Sequence, residues 1–502
     1  MAGPTSQPAE AVETTEAQQR KPNFLQKFTV LKGAPRELWL TFAIKFFSVA
    51  AYGLMNRTLV LWLSSDFHYS DQKAGAIISG AWAPMMTFVT LLVGSLTDAI
   101  GLRKTFFLGV FICIFARAFM VFSTVESVAF AFGLFPLAIG EALGNPVLVA
   151  AARKFSNTRQ RSISFSLIYA VMNLGFWAAA RVFDFLRKDL GEHGHFDLFG
   201  IHLSTYRALF LVSLIFEILL LPLIYFVRKG VEVTDEGVKI VPKASPYAVE
   251  SLWKAFWLTI RDSAQATVRL FKTLLAQSGF YRLLAFLLLI GFLKVIWVQM
   301  DYVFPKFGIR ELGDGAPIGQ LSSINYILII VLVPLIGALT QKFPAYRMVV
   351  VGGIICSASV FIMAMPPRWF AAAADSPPGQ LLAHAYLGVK GAVHPYYIMI
   401  AIYIAIFSLG EAFYSPRVYE YAAAIAPKGQ EASYSALSYI PLLLGKLLVG
   451  PGGWLLAAYC PEHGPRHSEI MWLIFALAAT VAPTGLLLLR RYIRVQEAGR
   501  QK

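Results

Sequence analysis

The chain has 502 residues, of which 57% are hydrophobic, and its mean hydropathy is +0.60. These values exceed what the surface of a water-soluble protein tolerates, so they indicate a polytopic membrane protein. The net charge of +15 would suggest a nucleic-acid partner for a soluble chain. In this chain the basic residues are concentrated in alternate loops between apolar runs, as in membrane proteins, so no nucleic-acid partner is expected. Three scattered cysteines exclude a disulfide framework.

The chain begins with a polar arm. Residues 1–23 are rich in Ala, Glu, Thr and Gln and lack the apolar core of a signal peptide. Such a composition cannot bury enough apolar surface to fold. We therefore expect residues 1–35 to form a disordered cytoplasmic arm.

Twelve apolar runs follow the arm, each long enough to cross about 30 Å of hydrocarbon as a helix. Six lie in residues 36–228 and six in residues 281–490. This count predicts an N-terminal and a C-terminal bundle of six helices each. The centres of the runs are near Ala50, Thr87, Ile114, Ile139, Val171, Ile215, Ile290, Ile329, Ile355, Ile404, Leu444 and Ala479.

The connection between the second and third runs carries a charged turn with glycines. Its residues are Gly94, Asp98, Gly101, Arg103 and Lys104. Glycine permits close helix approach and a tight turn, and the acid can pair with a base at the membrane edge. The pattern resembles the signature of the major facilitator superfamily. This resemblance implies an all-α membrane protein with twelve transmembrane helices in two pseudo-symmetric bundles, in which the turn is a conformational latch.

A sequence repeat supports two related halves. At an offset of 270 residues, Gly140-Glu141-Ala142 with Pro146 returns as Gly410-Glu411-Ala412 with Pro416. Internal repeats of this kind are typical of transporters that rock around a central site between their halves. The repeat therefore predicts alternating access.

A narrower resemblance lies in the fifth and tenth runs. The pattern Phe-x-x-x-Tyr-x-x-x-Asn-x-Gly in residues 165–175 and the pattern of residues 415–427 are similar to those of the proton-dependent oligopeptide transporter (POT/PTR) family. The resemblance implies that Tyr169 and Asn173 line the cavity and that Glu420 faces the amino group of a substrate. The family's first-helix motif Glu-x-x-Glu-Arg is absent, as is its fourth-helix lysine. The residues at these positions are Ile44, Phe47, Ser48 and Asn145.

The loop between the halves, residues 229–280, contains an amphipathic pattern at helical spacing. It predicts a helix on the inner membrane surface, with a plain connecting role as the alternative to partner binding. Basic residues collect in alternate loops and in the arm, which indicates cytoplasmic termini, including the tail 491–502. We expect a plasma membrane or bacterial inner membrane.

Ionisable residues inside the apolar runs are candidate functional groups, because a charge in hydrocarbon costs at least about 2.5 to 3.5 kcal/mol. We predict a substrate-binding set from some of these ionisable residues, from neighbouring aromatic side chains and from the residues implied by the resemblance. It comprises Lys45, Tyr52, Tyr169, Asn173, Lys294, Trp297, Tyr414 and Glu420. Buried carboxylates can exchange protons near neutral pH, so the proton-coupling candidates are Asp301, Glu411 and Glu420.

Several of these groups have structural alternatives. Arg417 and Glu420 stand at i and i+3 and can neutralise each other. Glu141 and Glu411 can make hydrogen bonds to neighbouring helices, and Arg57 lies near enough to a helix end to reach the interface. Lys294 and Asp301, two turns apart on one face, can hold opposite ends of a zwitterion.

The sequence predicts a secondary active transporter of a small polar solute, with peptides implied by the resemblance and protons as the coupling ion. An exporter or antiporter of amphipathic compounds, or a membrane scaffold or sensor without transport, remain alternatives. No enzymatic motif is found, and we expect a monomer in the bilayer with no cofactor and no metal ion. His193-x-His195 has the spacing of a metal site, but two histidines in a polar loop are usually solvated.

Overall fold

The computed structural model describes residues 29–234, 237–240, 252–340, 342–425, 437 and 440–494. Eleven helices in this part of the chain are long and apolar enough to cross a bilayer. The helix over residues 71–100 lies between the first two and brings the number to twelve. The predicted disordered arm, residues 1–35, falls largely outside the described residues.

The first six membrane helices are numbered in chain order. They are α1 (Arg36–Phe67), α2 (Asp71–Ile77, Ile78–Trp82 and Ala83–Ile100), α3 (Leu102–Phe122), α4 (Glu126–Val128, Ala129–Leu134 and Phe135–Lys154), α5 (Thr158–Leu190) and α6 (Thr205–Ile218 and Leu220–Phe226). The middle segments of α2 and α4 are π-helical.

The second six begin after the linker helix, Leu252–Leu275. They are α7 (Ser278–Tyr302, extended by Phe304–Leu312), α8 (Ile318–Leu339), α9 (Ala345–Val360, extended by Phe361–Ala364), α10 (Pro395–Ile425), α11 (Ile440–Leu447 and Val449–Tyr459) and α12 (Ser468–Leu488 and Arg490–Ile493).

Local sequence signals explain where several helices begin and end. Asn157 caps α5, and its side chain and that of Gln160 each accept a hydrogen bond from the other's backbone amide. Ser70 caps the start of α2 by accepting a hydrogen bond from the Lys73 amide. Gly101 and Gly191, with φ of 87° and 79°, end α2 and α5 in a backbone conformation that favours glycine.

The two halves share a close helix contact built on the repeat. In the first half, a Cβ at Gly140 of α4 would meet the Cys113 sulfur of α3 at 2.5 Å. In the second half, a Cβ at Gly410 of α10 would meet the Cys356 sulfur of α9 at 2.6 Å. The repeat seen in the sequence therefore corresponds to one packing arrangement made twice, and the predicted fold class is confirmed.

Two short hairpins supplement the helices in the described residues. Strands β1 (His195–Leu198) and β2 (Ile201–Ser204) pair between α5 and α6. Strands β3 (Val231–Thr234) and β4 (Gly237–Ile240) pair after α6. Neither hairpin is predicted by the sequence, because each strand has only four residues and lies in a polar loop.

The start of α1 lies beside the end of α6, where Arg36 Nη2 donates to the Phe226 carbonyl over 3.4 Å. The start of α7 lies beside the end of α12, where the Arg282 guanidinium is 6.0 Å from the Tyr492 ring. We call this the terminal side and the opposite side the distal side. The linker helix is on the terminal side, where Ile260 packs against the apolar core of the N-terminal bundle.

Candidate functional site

A buried ion pair joins the N-terminal bundle to the C-terminal bundle. Arg57 Nε of α1 lies 3.4 Å from Asp301 Oδ1 of α7, and both side chains are almost fully buried. Arg57 Nη2 also donates to the hydroxyl of Tyr326 in α8. The guanidinium Nη1 is buried without a hydrogen-bond partner, and Nε has no contact better than the 3.4 Å ion pair with Asp301, which is too poorly aligned to count as a hydrogen bond. Because buried donors are normally satisfied, this guanidinium has unused capacity for an acceptor.

A buried lysine crosses the same interface. Lys446 Nζ of α11 donates to the Tyr52 hydroxyl of α1 over 2.9 Å and lies 3.0 Å from the Met86 sulfur. It also sits 4.6 Å from the centre of the Trp82 ring, a cation–π contact. Among the described residues, no carboxylate oxygen lies within 4.0 Å of this ammonium. A buried cation held only by neutral groups is favourably placed to receive an anion.

A second acid–base pair lies within the C-terminal bundle. Lys294 Nζ of α7 is 3.8 Å from Glu411 Oε1 of α10, and Asn325 Nδ2 of α8 donates to Glu411 Oε2 over 3.1 Å. The ammonium also faces the rings of Trp297 and Tyr414, at 5.7 and 5.3 Å. Four predicted site residues therefore meet in this one cluster.

The N-terminal bundle buries two carboxylates around one arginine. Arg117 Nη2 of α3 donates to Glu141 of α4, and Arg117 Nη1 lies 3.2 Å from Glu217 Oε2 of α6. The remaining nitrogen, Nε, donates to the Ser213 hydroxyl over 2.8 Å. One guanidinium cannot neutralise two ionised carboxylates, and an isolated buried charge is very costly. The cluster therefore has one carboxylate more than its guanidinium can neutralise, which makes it a candidate for holding a proton.

On the distal side, charged groups tie the bundles together. Asp71 of α2 accepts from Lys306 over 2.5 Å and from Arg310 over 2.8 Å, both in the extension of α7. Asp184 of α5 accepts from the backbone amides of Gly319 and Gln320, over 2.8 and 2.6 Å, at the start of α8. We call these contacts the distal contact layer. They hold the two bundles together on this side.

The remaining predicted residues lie elsewhere. Glu420 is nine residues beyond Glu411 on α10, about 14 Å along the helix axis, and Arg417 Nη1 donates to it over 2.6 Å. Asn173 donates to the Tyr169 carbonyl over 2.9 Å, and Tyr169 packs against an apolar cluster of α8 and α10, formed by Ile329, Ile336 and Ala412.

Lys45 is buried in α1, twelve residues before Arg57, so about 18 Å separates the two along the helix axis. Lys294, Asp301 and Glu420 therefore belong to three separate ion pairs, with Glu411, Arg57 and Arg417 respectively.

The predicted latch is only partly described. The surroundings of Gly94 and the side chain of Asp98 lie outside what the structure describes. Gly101 takes up the left-handed φ noted above, and Lys104 is exposed. The Arg103 guanidinium lies 5.4 Å from the Tyr225 ring of α6. The pairing of Arg103 with Asp98 therefore stays a prediction.

The predicted binding set omitted Tyr326, and it omitted Lys446 and Arg57 although both are ionisable residues inside apolar runs; for Arg57, a position at the membrane interface was the alternative. One signal was available. Lys446 follows the pair Leu444-Gly445, and the repeat places Phe176 at the corresponding position of the first half. In the structure, Phe176 lies at the bundle interface too, stacked on the Tyr326 ring at 5.4 Å. This repeat position holds an apolar residue in the first half and a charged residue in the second. The two halves therefore differ chemically at this position.

Comparisons with known proteins agree with this architecture. No curated protein matches the chain. In fold the chain is similar to a POT family transporter in complex with 5-aminolevulinic acid, with a TM-score of 0.68 and 15% identity over 92% of this chain and 97% of that one. It is similar to the peptide transporter POT in complex with sulfate, with a TM-score of 0.65 and 16% identity over 93% of this chain and 98% of that one.

A third similar structure is that of a bacterial homologue of the human drug peptide transporters. Its TM-score is 0.62, at 16% identity over 91% of this chain and 99% of that one. At these identities the likeness concerns the fold. The sequence profile of the Major Facilitator Superfamily matches residues 41–393, which is more than half of the 502 residues. The chain therefore belongs to the Major Facilitator Superfamily.

Proposed function

We propose that this protein is a secondary active transporter of small polar solutes that carry a carboxylate, with peptide-like compounds as the first class to test. The observation that carries the proposal is the cationic pair between the bundles. Arg57 has two buried donors without hydrogen-bond partners, and Lys446 has only neutral contacts. A carboxylate that bound there would complete both residues.

The compounds bound in similar structures support the choice of substrate class. One structure is in complex with 5-aminolevulinic acid and another with a thioalcohol-conjugated peptide. 5-Aminolevulinic acid combines an amino group with a carboxylic acid. In this chain, Lys294 lies on the same helix α7 as Asp301, and its ion-pair partner Glu411 of α10 offers a carboxylate to an amino group.

Proton coupling follows from competition for Arg57. In the described state Asp301 is stabilised by the guanidinium at 3.4 Å. When a substrate carboxylate takes that guanidinium, Asp301 is left buried without its cation and is stabilised by taking up a proton. Substrate and proton would then cross together, and Asp301 would release the proton when Arg57 returns to it. Glu411 and the pair Glu141 and Glu217 are further proton-holding candidates. Glu420, paired with Arg417, is kept as a candidate on the terminal side.

The distal contact layer supports alternating access. It closes one side of the bundle interface in the described state, so the transport cycle must break these ion pairs. We place both termini in the cytoplasm, because basic residues are concentrated in the segments on the terminal side. A monomer is sufficient for this cycle, since both bundles come from one chain.

Uptake into proteoliposomes under an imposed pH gradient tests the proposal. We expect a dipeptide to accumulate with an inward proton gradient, and its C-terminal amide to compete at least about tenfold less well, because it lacks the carboxylate. Asp301→Asn should abolish accumulation against a gradient while substrate exchange across the membrane continues. The control is Asp189→Asn, which removes an exposed carboxylate from the distal end of α5.

Other results of the same transport assays would favour the alternative functions. Extrusion of apolar cations, without competition from carboxylates, would favour an exporter or antiporter. No flux with a broad substrate panel would favour a scaffold or sensor. Equal competition by the dipeptide and its amide would contradict the assignment of Arg57 and Lys446 to a carboxylate.

A further inference from the structure

A hairpin outside the transport site brings three possible metal ligands together. His195, Asp197 and His202 lie in strands β1 and β2, and one ligand atom of each lies within 4.8 Å of the others. All three side chains are exposed. Asp197 Oδ1 contacts His202 Nδ1 directly, and the rings of His195 and His202 are 5.7 Å apart.

The backbone fixes this arrangement. His195 and Asp197 are two apart in β1 and share a face, and the register sets His202 directly opposite Asp197. The opposite face is apolar and includes Leu203, which is fully buried. A slip of one residue would exchange the faces and expose that leucine, so the register is strongly specified.

The turn supports the same register. Phe199 and Gly200 form a two-residue connection with φ of 49° and 84°, the signs that a tight hairpin turn requires. The base of the hairpin is anchored as well, because the Ser204 hydroxyl donates to Asp66 of α1 over 2.9 Å. The three ligands therefore project from a rigid platform rather than from a free loop.

We propose that this hairpin binds one first-row transition metal ion, with Zn²⁺ as the reference ion, through His195, Asp197 and His202. Two imidazole nitrogens and a carboxylate oxygen suit Zn²⁺, Ni²⁺, Co²⁺ or Cu²⁺ better than Ca²⁺ or Mg²⁺. Three protein ligands leave a tetrahedral ion one position for water. The side chains need only small rotations, since donors bound at about 2.1 Å from one ion lie about 3.4 Å apart.

The site differs from the one that sequence spacing suggested. His193 precedes the hairpin and does not belong to the ligand group, whereas Asp197 and His202 complete it. A second group of potential ligands, Cys113, Glu141 and Glu217, carries no such proposal, because Arg117 occupies its centre as an ion-pair partner.

Zn²⁺ binding by the purified full-length chain, with any affinity tag removed, tests the site by competition against a chromophoric chelator. We expect one Zn²⁺ per chain. His195→Ala and His202→Ala should each weaken Zn²⁺ binding at least roughly tenfold. Loss of an outer-sphere partner of a metal ligand already costs that much, and these substitutions remove the ligands themselves. His193→Ala is the matched control, since it removes an exposed imidazole two residues away, and it should leave affinity unchanged.

Co²⁺ provides a second readout, because its visible absorption reports the coordination directly. The wild-type protein and His193→Ala should give the same absorption band, and His202→Ala should lose it. Unaltered thermal unfolding of the apo variants would establish that the hairpin change is local. Equal Zn²⁺ affinity in the wild type and in His195→Ala/His202→Ala would overturn the proposal and leave Asp197 and His202 as a simple surface ion pair.

Discussion

Lys446 illustrates how a charge can be kept in a membrane protein at a cost to stability. Its ammonium is buried against Tyr52, Met86 and Trp82. These neutral contacts recover only part of the solvation that an ammonium loses on burial. In the proposed function this cost is recovered when a substrate anion binds, which is why we assign Lys446 a binding role.

The substitution Lys446→Met keeps the length of the side chain and removes its charge. Because no described carboxylate loses an ion pair, we expect the melting temperature to be unchanged or higher. The Michaelis constant for a carboxylate substrate should rise about tenfold or more, as expected for loss of one charge-assisted hydrogen bond. Parallel thermal unfolding and uptake measurements check both effects.

Lys188→Met is the matched control, because Lys188 is exposed on α5. A fall in melting temperature of Lys446→Met together with unaltered transport would contradict the binding role.

For single residues, the sequence identified which charged side chains are candidate functional groups, but not which residues they pair with. The alternative that Arg417 and Glu420 neutralise each other could be predicted, because the i, i+3 spacing lies within one helix. The pairing of Arg57 with Asp301 could not, since it depends on how two separate bundles meet.

The close contacts α3–α4 and α9–α10 show how the repeat works as packing. Gly140 and Gly410 let one helix backbone approach the next, and the carbonyls of Gly109 and Gly352 complete each crossing. A side chain at either glycine would meet sulfur and backbone atoms rather than a flexible side-chain end. Small residues at such crossings are a common device in membranes, where helix association depends on close packing.

Gly410→Ala tests this packing. The new Cβ would lie 2.6 Å from the Cys356 sulfur and 2.7 Å from its backbone nitrogen, so the helices must move apart. We expect a loss of about 1 to 3 kcal/mol in stability, the usual cost of overpacking, measured as lower resistance to thermal unfolding in detergent.

Gly80→Ala is the control, because a Cβ at that helical glycine meets no atom within 4 Å. Equal melting temperatures for the two variants would show that the crossing is looser than described.

At the scale of elements, the sequence predicted the twelve runs and the repeat because both depend on hydrophobicity and spacing within the chain. The repeat contains the two glycines of this contact, Gly140 and Gly410, at matching positions, but the contact itself was not predicted. The glycines of α3 and α9 were not recognised, because Gly109 and Gly352 are 243 residues apart and fall outside the register of 270. Equivalent helices can keep their packing while the connections between them change length.

The molecule as a whole is described in a state closed on its distal side. Asp71 is central to that closure, because one carboxylate accepts from Lys306 and Arg310 of the other bundle. Closed and open states of transporters differ by modest free energies, so the loss of one such group shifts their populations.

Asp71→Asn should favour opening of the distal side. A cysteine at Val60, which lies beside Asp71 and Tyr302 beneath the distal contact layer, would report it in a background without the native cysteines. We expect a membrane-impermeant maleimide added on the distal side to label it several times faster in Asp71→Asn.

Asp314→Asn is the control, because Asp314 is an exposed carboxylate on the same side. Slower labelling in Asp71→Asn than in the control would mean that Asp71 opposes closure instead of supporting it.

The start of α8 has a consequence for how this side can move. Its first free amides, those of Gly319 and Gln320, are satisfied by Asp184 from the other bundle. A hydrogen bond is lost over a short range, so partial separation would leave buried donors and an acceptor unsatisfied at about 1 to 3 kcal/mol each. Intermediate distances between Asp184 and the start of α8 are therefore the least favourable, until water can enter the gap. The backbone itself makes parting of the halves abrupt, giving the carrier two discrete positions instead of a continuum.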